Sequence, residues 1–205
     1  MNTTPLIHVV DDDDSLRTAL LDLLDAAGFE ARGYASTGEF LLDPPPDRPG
    51  CALLDVRMPG PSGLDLQAAL QRQGVTIPII FLTGHADVPT SVRAMKAGAI
   101  DFLEKPVRRE TLLDAIKRAL ASDIVQRTAR DTAKRRSARL AVLTTREREV
   151  FDRIVAGKLN KQVADELGVS LRTVKAYRAQ VMAKLGVDTA AELGKLAGEQ
   201  GDLPG

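Results

Sequence analysis

Carboxylates cluster in the first third of the chain, in positions where a parallel sheet would bring them together. Asp11 and Asp12 follow a short apolar run, and Asp55 follows another. The carboxyl ends of parallel strands meet at one edge of an α/β sheet, where such sheets bind ligands. Neighbouring carboxylates repel one another unless a cation neutralises them, and oxygen ligands favour Mg²⁺. Capping of the first helix would explain Asp13 or Asp14 but not all of these aspartates, so we predict a magnesium site at this edge.

Two more polar side chains follow later apolar runs. Thr83 comes directly after residues 77–82, and Lys105 lies just beyond residues 100–103. Packing alone does not require a hydroxyl and an amine beside three carboxylates. An aspartate that ends a strand more often forms a turn or caps a helix than reacts, but this convergence favours Asp55 as a reactive group.

The elements that must position these residues alternate between strand-like and helix-like patterns. Short apolar runs indicate buried strands, and apolar residues at spacings of three and four indicate helices. Five strand–helix units in about 120 residues predict a parallel, doubly wound α/β sheet with helices on both faces. The predicted strands are residues 6–10, 29–34, 51–54, 77–82 and 100–103, and the predicted helices are residues 16–27, 36–42, 62–72, 88–97 and 109–120.

Charge is distributed unevenly along the 205 residues, although the totals are 28 basic and 28 acidic side chains. Residues 1–120 contain 12 Lys/Arg and 17 Asp/Glu, whereas residues 121–205 contain 16 and 11. This favours two domains with different partners, the basic one binding a polyanion; uneven solvated surfaces are the alternative. Cys51 is the only cysteine, which excludes an internal disulfide. With neither a signal-peptide pattern nor an 18-residue apolar run, the protein is expected to be cytoplasmic.

The basic half begins with a segment, residues 121–140, that is rich in arginine and lysine and poor in large apolar residues. We interpret it as a linker, helical in part, that needs no core of its own. Helical patterns then resume at Thr144 and Glu147, which have the spacing of a capping box. Helices are predicted at residues 145–156, 160–167, 171–185 and 189–197, which together form a small all-α four-helix domain.

The second and third of these helices are separated by a tight turn, as in a helix–turn–helix motif. Ser170 is the predicted N-cap of the third helix. That helix has cationic residues on its outer faces and an apolar stripe formed by Val174, Tyr177, Val181 and Leu185. This pattern alone does not distinguish a DNA-binding helix from a solvated one.

The motifs of the acidic half are Val9-Val10-Asp11-Asp12-Asp13, Leu54-Asp55-Val56-Arg57-Met58-Pro59-Gly60, Leu82-Thr83-Gly84 and Phe102-Leu103-Glu104-Lys105-Pro106. Together they resemble the receiver domain of two-component response regulators, over about residues 5–120. The resemblance implies a flavodoxin-like fold in which Asp55 accepts a phosphoryl group from a histidine kinase. It also implies that Asp12, Asp55 and the backbone carbonyl of Arg57 bind Mg²⁺ directly. Asp11 would contribute through water.

The same resemblance assigns roles to the later polar residues. It implies that Thr83 binds a phosphoryl oxygen and that Lys105 pairs with the phosphoryl group. The peptide bond between Lys105 and Pro106 is usually cis in this family. Phe102 would be the aromatic switch that follows Thr83, with a plain core aromatic as the alternative. His8 is expected in the core, and since the chain has no P-loop or kinase-type glycine motif, a partner kinase is required.

The motifs of the basic half are Leu143-Thr144-Thr145-Arg146-Glu147-Arg148-Glu149-Val150, Asn160-Lys161, Gly168-Val169-Ser170, Thr173-Val174-Lys175 and Lys184-Leu185-Gly186-Val187. They resemble the four-helix DNA-binding domain of the NarL/FixJ (LuxR-type) regulators, over about residues 143–197. The resemblance implies that residues 171–185 are the recognition helix and that the last helix pairs two copies of the domain. It places Lys175, Ala176 and Ala179 at base edges, and Lys161, Arg172, Thr173 and Arg178 near phosphates. Tyr177 and Ala179 depart from the common pattern, and the short side chain of Ala179 favours partial recognition through DNA shape or methyl contacts.

These resemblances predict a receiver domain at residues 1–121, a basic linker at 122–142 and a LuxR-type helix-turn-helix domain at 143–205. The protein would be a transcriptional response regulator and not an enzyme. Phosphorylation of Asp55 by a sensor histidine kinase would control dimerisation, with residues 88–104 as the dimer face, and binding to promoter DNA. RNA polymerase is a further candidate partner.

Two alternatives stay open at this point. One is a phosphorelay or protein-binding module whose basic helices contact a protein instead of DNA. The other is a phosphatase of the haloacid dehalogenase type, which requires a second aspartate where this chain has Arg57.

Overall fold

The computed structural model describes residues 4–43, 45–85 and 87–198. Contacts divide the chain into two compact units, Met1–Thr128 and Ala129–Gly205. The outer ends of the predicted terminal domains, residues 1–3 and 199–205, lie outside the described residues.

A parallel sheet forms the centre of the first unit. Its strands are β1 Leu6–Val10, β2 Glu30–Tyr34, β3 Gly50–Asp55, β4 Ile79–Thr83 and β5 Asp101–Glu104. They lie in the order β2-β1-β3-β4-β5, and every neighbouring pair is parallel. This is the strand order of doubly wound, flavodoxin-like sheets, so the predicted fold class is confirmed. The strands β1, β3 and β4 are buried along their whole length, because helices cover both faces.

The helices of this unit begin close to where the sequence predicted them. They are α1 Asp14–Ala26, α2 Thr37–Leu42, α3 Gly63–Arg72, α4 Val88–Lys96 and α5 Arg109–Leu140. Side chains that follow one another in β3 point to opposite faces of the sheet. Leu53 belongs to a core cluster with residues of α1 and α5, and Leu54 belongs to a second cluster with residues of α2, α3 and α4.

Helix α5 differs most from the prediction, which ended it at residue 120 and expected the following segment to be helical only in part. It has 32 residues and continues to Leu140. The stretch contains neither glycine nor proline and is rich in alanine, arginine and lysine, all good helix formers, so the change in composition does not stop the helix. Leu140 is 7% exposed and lies in the hydrophobic cluster of the second unit. The expectation that this whole segment needs no core is therefore wrong for its last residue.

The second unit contains the four predicted helices after the end of α5. They are α6 Thr145–Val155, α7 Asn160–Leu167, α8 Leu171–Leu185 and α9 Ala190–Gly198. The capping box of Thr144 and Glu147 and the N-cap at Ser170 are both present, as predicted. The turn between α7 and α8 begins at Gly168, whose φ of 65° favours glycine. Of the predicted apolar stripe of α8, Tyr177 is only half-buried.

Among the described residues, no helix combines the length and the apolar character needed to cross a membrane.

Candidate functional site

The aspartates of the predicted site lie at the ends of adjacent strands. Asp55 is the last residue of β3, and Asp11 directly follows β1, whose Val10 pairs with Leu54. Asp11 is 1% exposed and Asp55 is 6% exposed, so both carboxylates are buried. Asp12 is exposed beside them, and one oxygen of each of the three carboxylates lies within 4.8 Å of the other two. The strand order thus brings together the residues that the sequence predicted to meet.

The neighbouring residue Asp13 does not belong to this site, because its carboxylate is used in local hydrogen bonds. Asp13 caps α1, because its Oδ1 accepts from the backbone N–H groups of Ser15 at 2.9 Å and Leu16 at 3.1 Å. Asp11 Oδ1 in turn accepts from the backbone N–H of Asp13 at 3.0 Å. The capping role expected for one aspartate of the run therefore falls on Asp13 and leaves Asp12 at the site.

Lys105, which directly follows β5, supplies a positive charge to both buried carboxylates. Its ammonium donates to Asp11 Oδ2 at 2.7 Å and to Asp55 Oδ1 at 2.9 Å. Burial alone would lower the pKa of Lys105, but the hydrogen bonds and charges of the two carboxylates raise it overall, so the group stays ammonium. The peptide bond from Lys105 to Pro106 is cis.

The site retains an excess of negative charge in spite of Lys105. Burial raises the pKa of Asp55 above its ordinary value; Lys105 opposes the shift, and the charges of Asp11 and Asp12 add to it. One ammonium does not balance three carboxylates. Since the candidate ligand atoms of these side chains are all carboxylate oxygens, the site fits a hard divalent cation such as Mg²⁺, and Asp11, Asp12 and Asp55 are the side chains that would hold it.

Of the remaining predicted residues, Thr83 and Arg57 lie at the same edge, whereas Phe102 lies within β5 and pairs with Phe81. Thr83 ends β4 and is 1% exposed. Its hydroxyl donates to the carbonyl of His85 at 2.9 Å and accepts from the N–H of His85 at 3.2 Å. Phe102 of β5 is half-buried, with its ring centroid 6.1 Å from that of Phe81. The side chain of Arg57 is exposed. In the described contacts, the Thr83 hydroxyl is therefore engaged with its own loop.

Gly63, the first residue of α3, is a site residue that the sequence analysis missed. A Cβ atom at this position would lie 2.2 Å from the backbone oxygen of Asp55 and 3.1 Å from Phe81 Cε1. The N–H of Gly63 also donates to the carbonyl of Val56 at 3.2 Å. Only glycine lets α3 begin this close to the end of β3. The local signal is weak, because a glycine after Pro61 and Ser62 looks like an ordinary turn.

In the second unit, the predicted base-edge residues lie on one exposed surface of α8. Lys175, Ala176 and Ala179 are all exposed, as is Arg172 at the start of the helix. We call these four residues the outer face of α8. Lys161, the second residue of α7, is exposed as well. The opposite side of α8 packs into the hydrophobic cluster of the unit, so the outer face is the side available to a partner.

Two of the predicted phosphate contacts are held by bonds within the helix–turn–helix. Thr173 Oγ1 lies 2.8 Å from Ser170 Oγ at the start of α8. Arg178 donates from Nη1 to Asn160 Oδ1 at 3.1 Å, which joins α8 to the first residue of α7. Both Thr173 and Arg178 are half-buried. Their side chains therefore contribute to the fold of the motif in addition to any contact with DNA.

A doubly wound sheet with an acidic site at its strand ends, followed by a helix–turn–helix, is the architecture of a DNA-binding response regulator. Comparisons with known proteins agree. Residues 7–117 match the response regulator receiver domain, and residues 141–197 match the bacterial regulatory proteins of the luxR family. Nodulation protein W of Bradyrhizobium diazoefficiens is 44% identical over 94% of this chain and 85% of its own. Transcriptional regulatory protein FixJ of the same organism is 40% identical over 99% of both chains. The solved structure of the response regulator StyR, 44% identical, covers 96% of this chain and 99% of its own with a TM-score of 0.81.

The chain therefore belongs to the response regulators that combine a receiver domain with a luxR-type DNA-binding domain. It is a transcriptional regulator of a two-component system and not an enzyme, as the sequence predicted. This combination of domains implies a sensor kinase and DNA as partners.

Proposed function

We propose that Asp55 is the phosphoacceptor of this regulator and that its phosphorylation controls DNA binding by the second unit. One observation carries the proposal: a buried carboxylate at a strand end lies 2.9 Å from an ammonium and close to two more carboxylates. Burying an unpaired carboxylate costs free energy, and Asp55 has both a cation and a potential metal site beside it. Such groups are common at functional sites.

In the proposed reaction, a carboxylate oxygen of Asp55 attacks the phosphorus of a phosphohistidine on the sensor kinase. The bond from phosphorus to the histidine nitrogen breaks, and an acyl phosphate forms on Asp55. The transfer needs little covalent help, but the charge on the phosphoryl oxygens must be balanced. Lys105 balances part of it from its position between the carboxylates. Mg²⁺ held by Asp11, Asp12, Asp55 and the backbone carbonyl of Arg57 would supply the remaining positive charge.

The proposed response to phosphorylation is an exchange of hydrogen bonds at Thr83. The phosphoryl group brings about two negative charges in place of one. Thr83 would then give up its two bonds with the backbone of His85, and its hydroxyl would donate to a phosphoryl oxygen. Phe102 would act as the aromatic switch that follows this movement. The loop after β4 would change its conformation because it loses these bonds.

The proposed output is DNA binding by α8. We propose a receiver at residues 1–121 and a linker at residues 122–142, which precede the DNA-binding domain in the chain. Within the DNA-binding domain, residues 143–205, the outer face of α8 would enter the major groove, supported by its exposure and by the packing of the opposite side. Base edges would be contacted by Lys175, Ala176 and Ala179, and phosphates by Lys161, Arg172, Thr173 and Arg178. Two copies would pair on DNA through α9, and on phosphorylation through residues 88–104. RNA polymerase is a candidate partner, and the protein would act in the cytoplasm.

Genomic footprinting of the wild type beside Asp55→Asn tests the proposal. Asparagine keeps the size of the side chain but cannot form the acyl phosphate. Treatment of the purified proteins with an acyl phosphate and Mg²⁺ should add one phosphoryl group to the wild type, seen by mass spectrometry, and none to Asp55→Asn. The wild type should then occupy more sites than the variant. Identical footprints would show that Asp55 is not the switch.

A further inference from the structure

The carboxyl end of α8 is held by a residue that precedes the four-helix region. Arg139, the second-to-last residue of α5, donates from Nη2 to the carbonyl oxygen of Leu185 at 2.8 Å. Leu185 is the last residue of α8, and the last carbonyls of a helix have no partner within it. A cation at this end also lies at the negative pole of the helix dipole. Arg139 is therefore a side-chain cap that α5 supplies to α8.

Neighbouring contacts hold the end of α5, and with it Arg139, close to the end of α8. Leu140 is buried in the same hydrophobic cluster as the packed side of α8. Lys184, next to the end of α8, donates to Glu147 Oε2 at 2.7 Å and to the carbonyl of Val142 at 3.4 Å. The end of α5 and the end of α8 are thus joined on either side of the Arg139 bond. Because these other contacts do not involve the Arg139 side chain, we expect the unit to stay folded when that side chain is removed.

We propose that Arg139 is a positioning residue for DNA recognition, which sets the direction of α8 without touching DNA. The proposal rests on the proposed role of α8 as the recognition helix. With 15 residues α8 is about 22 Å long. Movement of its carboxyl end would tilt the helix and so change the direction in which Lys175 and Ala179 face. Hydrogen bonds and apolar contacts to base edges need closer geometry than contacts to phosphates. Arg139 therefore contributes to discrimination between DNA sequences more than to general affinity.

The test compares the full-length wild type with Arg139→Ala, Arg139→Lys and Arg135→Ala. Arg135 lies one turn earlier on α5 and, like Arg139, is exposed, so its replacement removes the same charge from the same helix without removing the bond to Leu185. Affinity is measured at several salt concentrations for two probes. One is a duplex of about 30 base pairs that the wild type selects from a random pool, long enough for two half-sites one turn apart, and the other is the unselected pool.

Arg139→Ala should bind the selected duplex roughly tenfold more weakly than the wild type, with unchanged affinity for the unselected pool and an unchanged salt slope. Arg139→Lys should recover most of the loss, since an ammonium also donates to a carbonyl. Arg135→Ala should stay close to the wild type. Equal losses on both probes, with a salt slope lower by about two per bound dimer, would indicate a phosphate contact in each copy and overturn the proposal. Unchanged affinity for the selected duplex would overturn it as well, and so would an equal loss in Arg135→Ala.

Amide hydrogen exchange gives a second readout that does not depend on DNA. Exchange at residues 184–187 should be faster in Arg139→Ala than in the wild type or in Arg135→Ala, because the last turn of α8 has lost its cap. If the wild type selects no sequence from the pool after treatment with an acyl phosphate and Mg²⁺, the proposed function fails, whereas the exchange rates still decide whether Arg139 holds α8. Unchanged exchange in Arg139→Ala would contradict the proposal. Binding is measured well below the melting temperature, with the active fraction determined by titration, so that lower stability does not imitate weaker recognition.

Discussion

The acidic site of the first unit and the outer face of α8 differ in the environment of their charged groups, which are buried and paired at the first and exposed to solvent at the second. Asp11 and Asp55 are buried, and Lys105 forms hydrogen bonds with both. Arg172 and Lys175 are exposed, and in the described part of the chain neither takes part in an ion pair. Removing a buried charge leaves its partner uncompensated, whereas removing a solvated one costs little. Function and stability should therefore be coupled at the acidic site and separate on the outer face of α8.

The largest effect is expected from Gly63→Ala, which tests the coupling at the acidic site. The added methyl group would lie 2.2 Å from the backbone oxygen of Asp55, so α3 or the end of β3 must move. We expect a loss of about 3 kcal/mol in the free energy of unfolding, measured in urea, together with slower phosphorylation by an acyl phosphate. Gly38→Ala in the first turn of α2 is the matched control, since the nearest atom to its Cβ would be 3.8 Å away. Equal effects of the two substitutions would contradict the prediction.

Acid should weaken the first unit before the second, because of His8. This residue is 1% exposed, with Nδ1 3.0 Å from the Tyr34 hydroxyl, which donates to Asp43 at 3.1 Å. Burial lowers the pKa of His8 from 6.5 to about 4; Asp43 opposes the shift, and Arg32 and Arg48 reinforce it. Below pH 6.5 the unfolded chain takes up a proton that the folded protein does not. His8 should therefore lower the free energy of unfolding by about 3 kcal/mol as the pH falls from 6.5 to 4, whereas the raised pKa of Asp55 acts in the opposite direction.

The second unit should keep its stability over most of that pH range. A hydrogen bond from Lys184 lowers the pKa of Glu147 below its ordinary value of 4.5, so the stability from this group is complete above pH 4.5 and is lost as the pH falls further. With one tyrosine in each unit, the fluorescence of Tyr177→Phe reports the first unit through Tyr34, and that of Tyr34→Phe reports the second. Adding His8→Phe to Tyr177→Phe should abolish the loss of stability between pH 6.5 and 4.5. Parallel losses in both units over that range would refute the prediction.

A smaller effect is expected from Asp123→Ala. This change removes a contact at the start of β3 and leaves the reactive end of the strand unchanged, so it separates stability from function. Asp123 is fully buried on α5 and accepts from the N–H of Gly50 at 3.0 Å and from Arg127 Nε at 2.8 Å. Its removal leaves the Gly50 N–H without an acceptor, so we expect a loss of about 2 kcal/mol in the free energy of unfolding. Gly50 begins β3 and Asp55 ends it, so the rate of phosphorylation should not change. Asp131→Ala, an exposed acid on the same helix, should change neither quantity.

The sequence was sufficient to predict the sheet and the residues that meet at its edge. Buried runs such as residues 51–54 have a clear pattern, and a parallel sheet carries Asp55 and Asp11 to the same edge whatever the details of packing. The N-caps at Thr144 and Ser170 were predictable as well, because a cap is a contact between near neighbours in the chain.

What the sequence did not show depends on contacts between distant residues. Gly63 is needed because α3 approaches the backbone of Asp55, and nothing in its own neighbourhood indicates that distance. The bond between Arg178 and Asn160 and the capping of Leu185 by Arg139 join residues that are 18 and 46 positions apart. The length of α5 was missed for another reason: a change from apolar to basic residues alters what a helix packs against, but it does not by itself end a helix made of good helix formers.

The smallest effect distinguishes two arginines that are both proposed to contact phosphates. Arg172 is exposed on the outer face of α8, whereas Arg178 donates to Asn160 at 3.1 Å. Each change to alanine should lower the salt slope of DNA binding by about 1.8 per bound dimer, since one phosphate contact is lost in each copy. Only Arg178→Ala should also lower the free energy of unfolding, by about 1 kcal/mol, because it removes a hydrogen bond that joins α8 to α7. Asn160→Ala should cause the same loss of stability without changing the salt slope. If Arg172→Ala destabilised the protein as much as Arg178→Ala does, the outer face of α8 would be coupled to the fold in the same way as the acidic site.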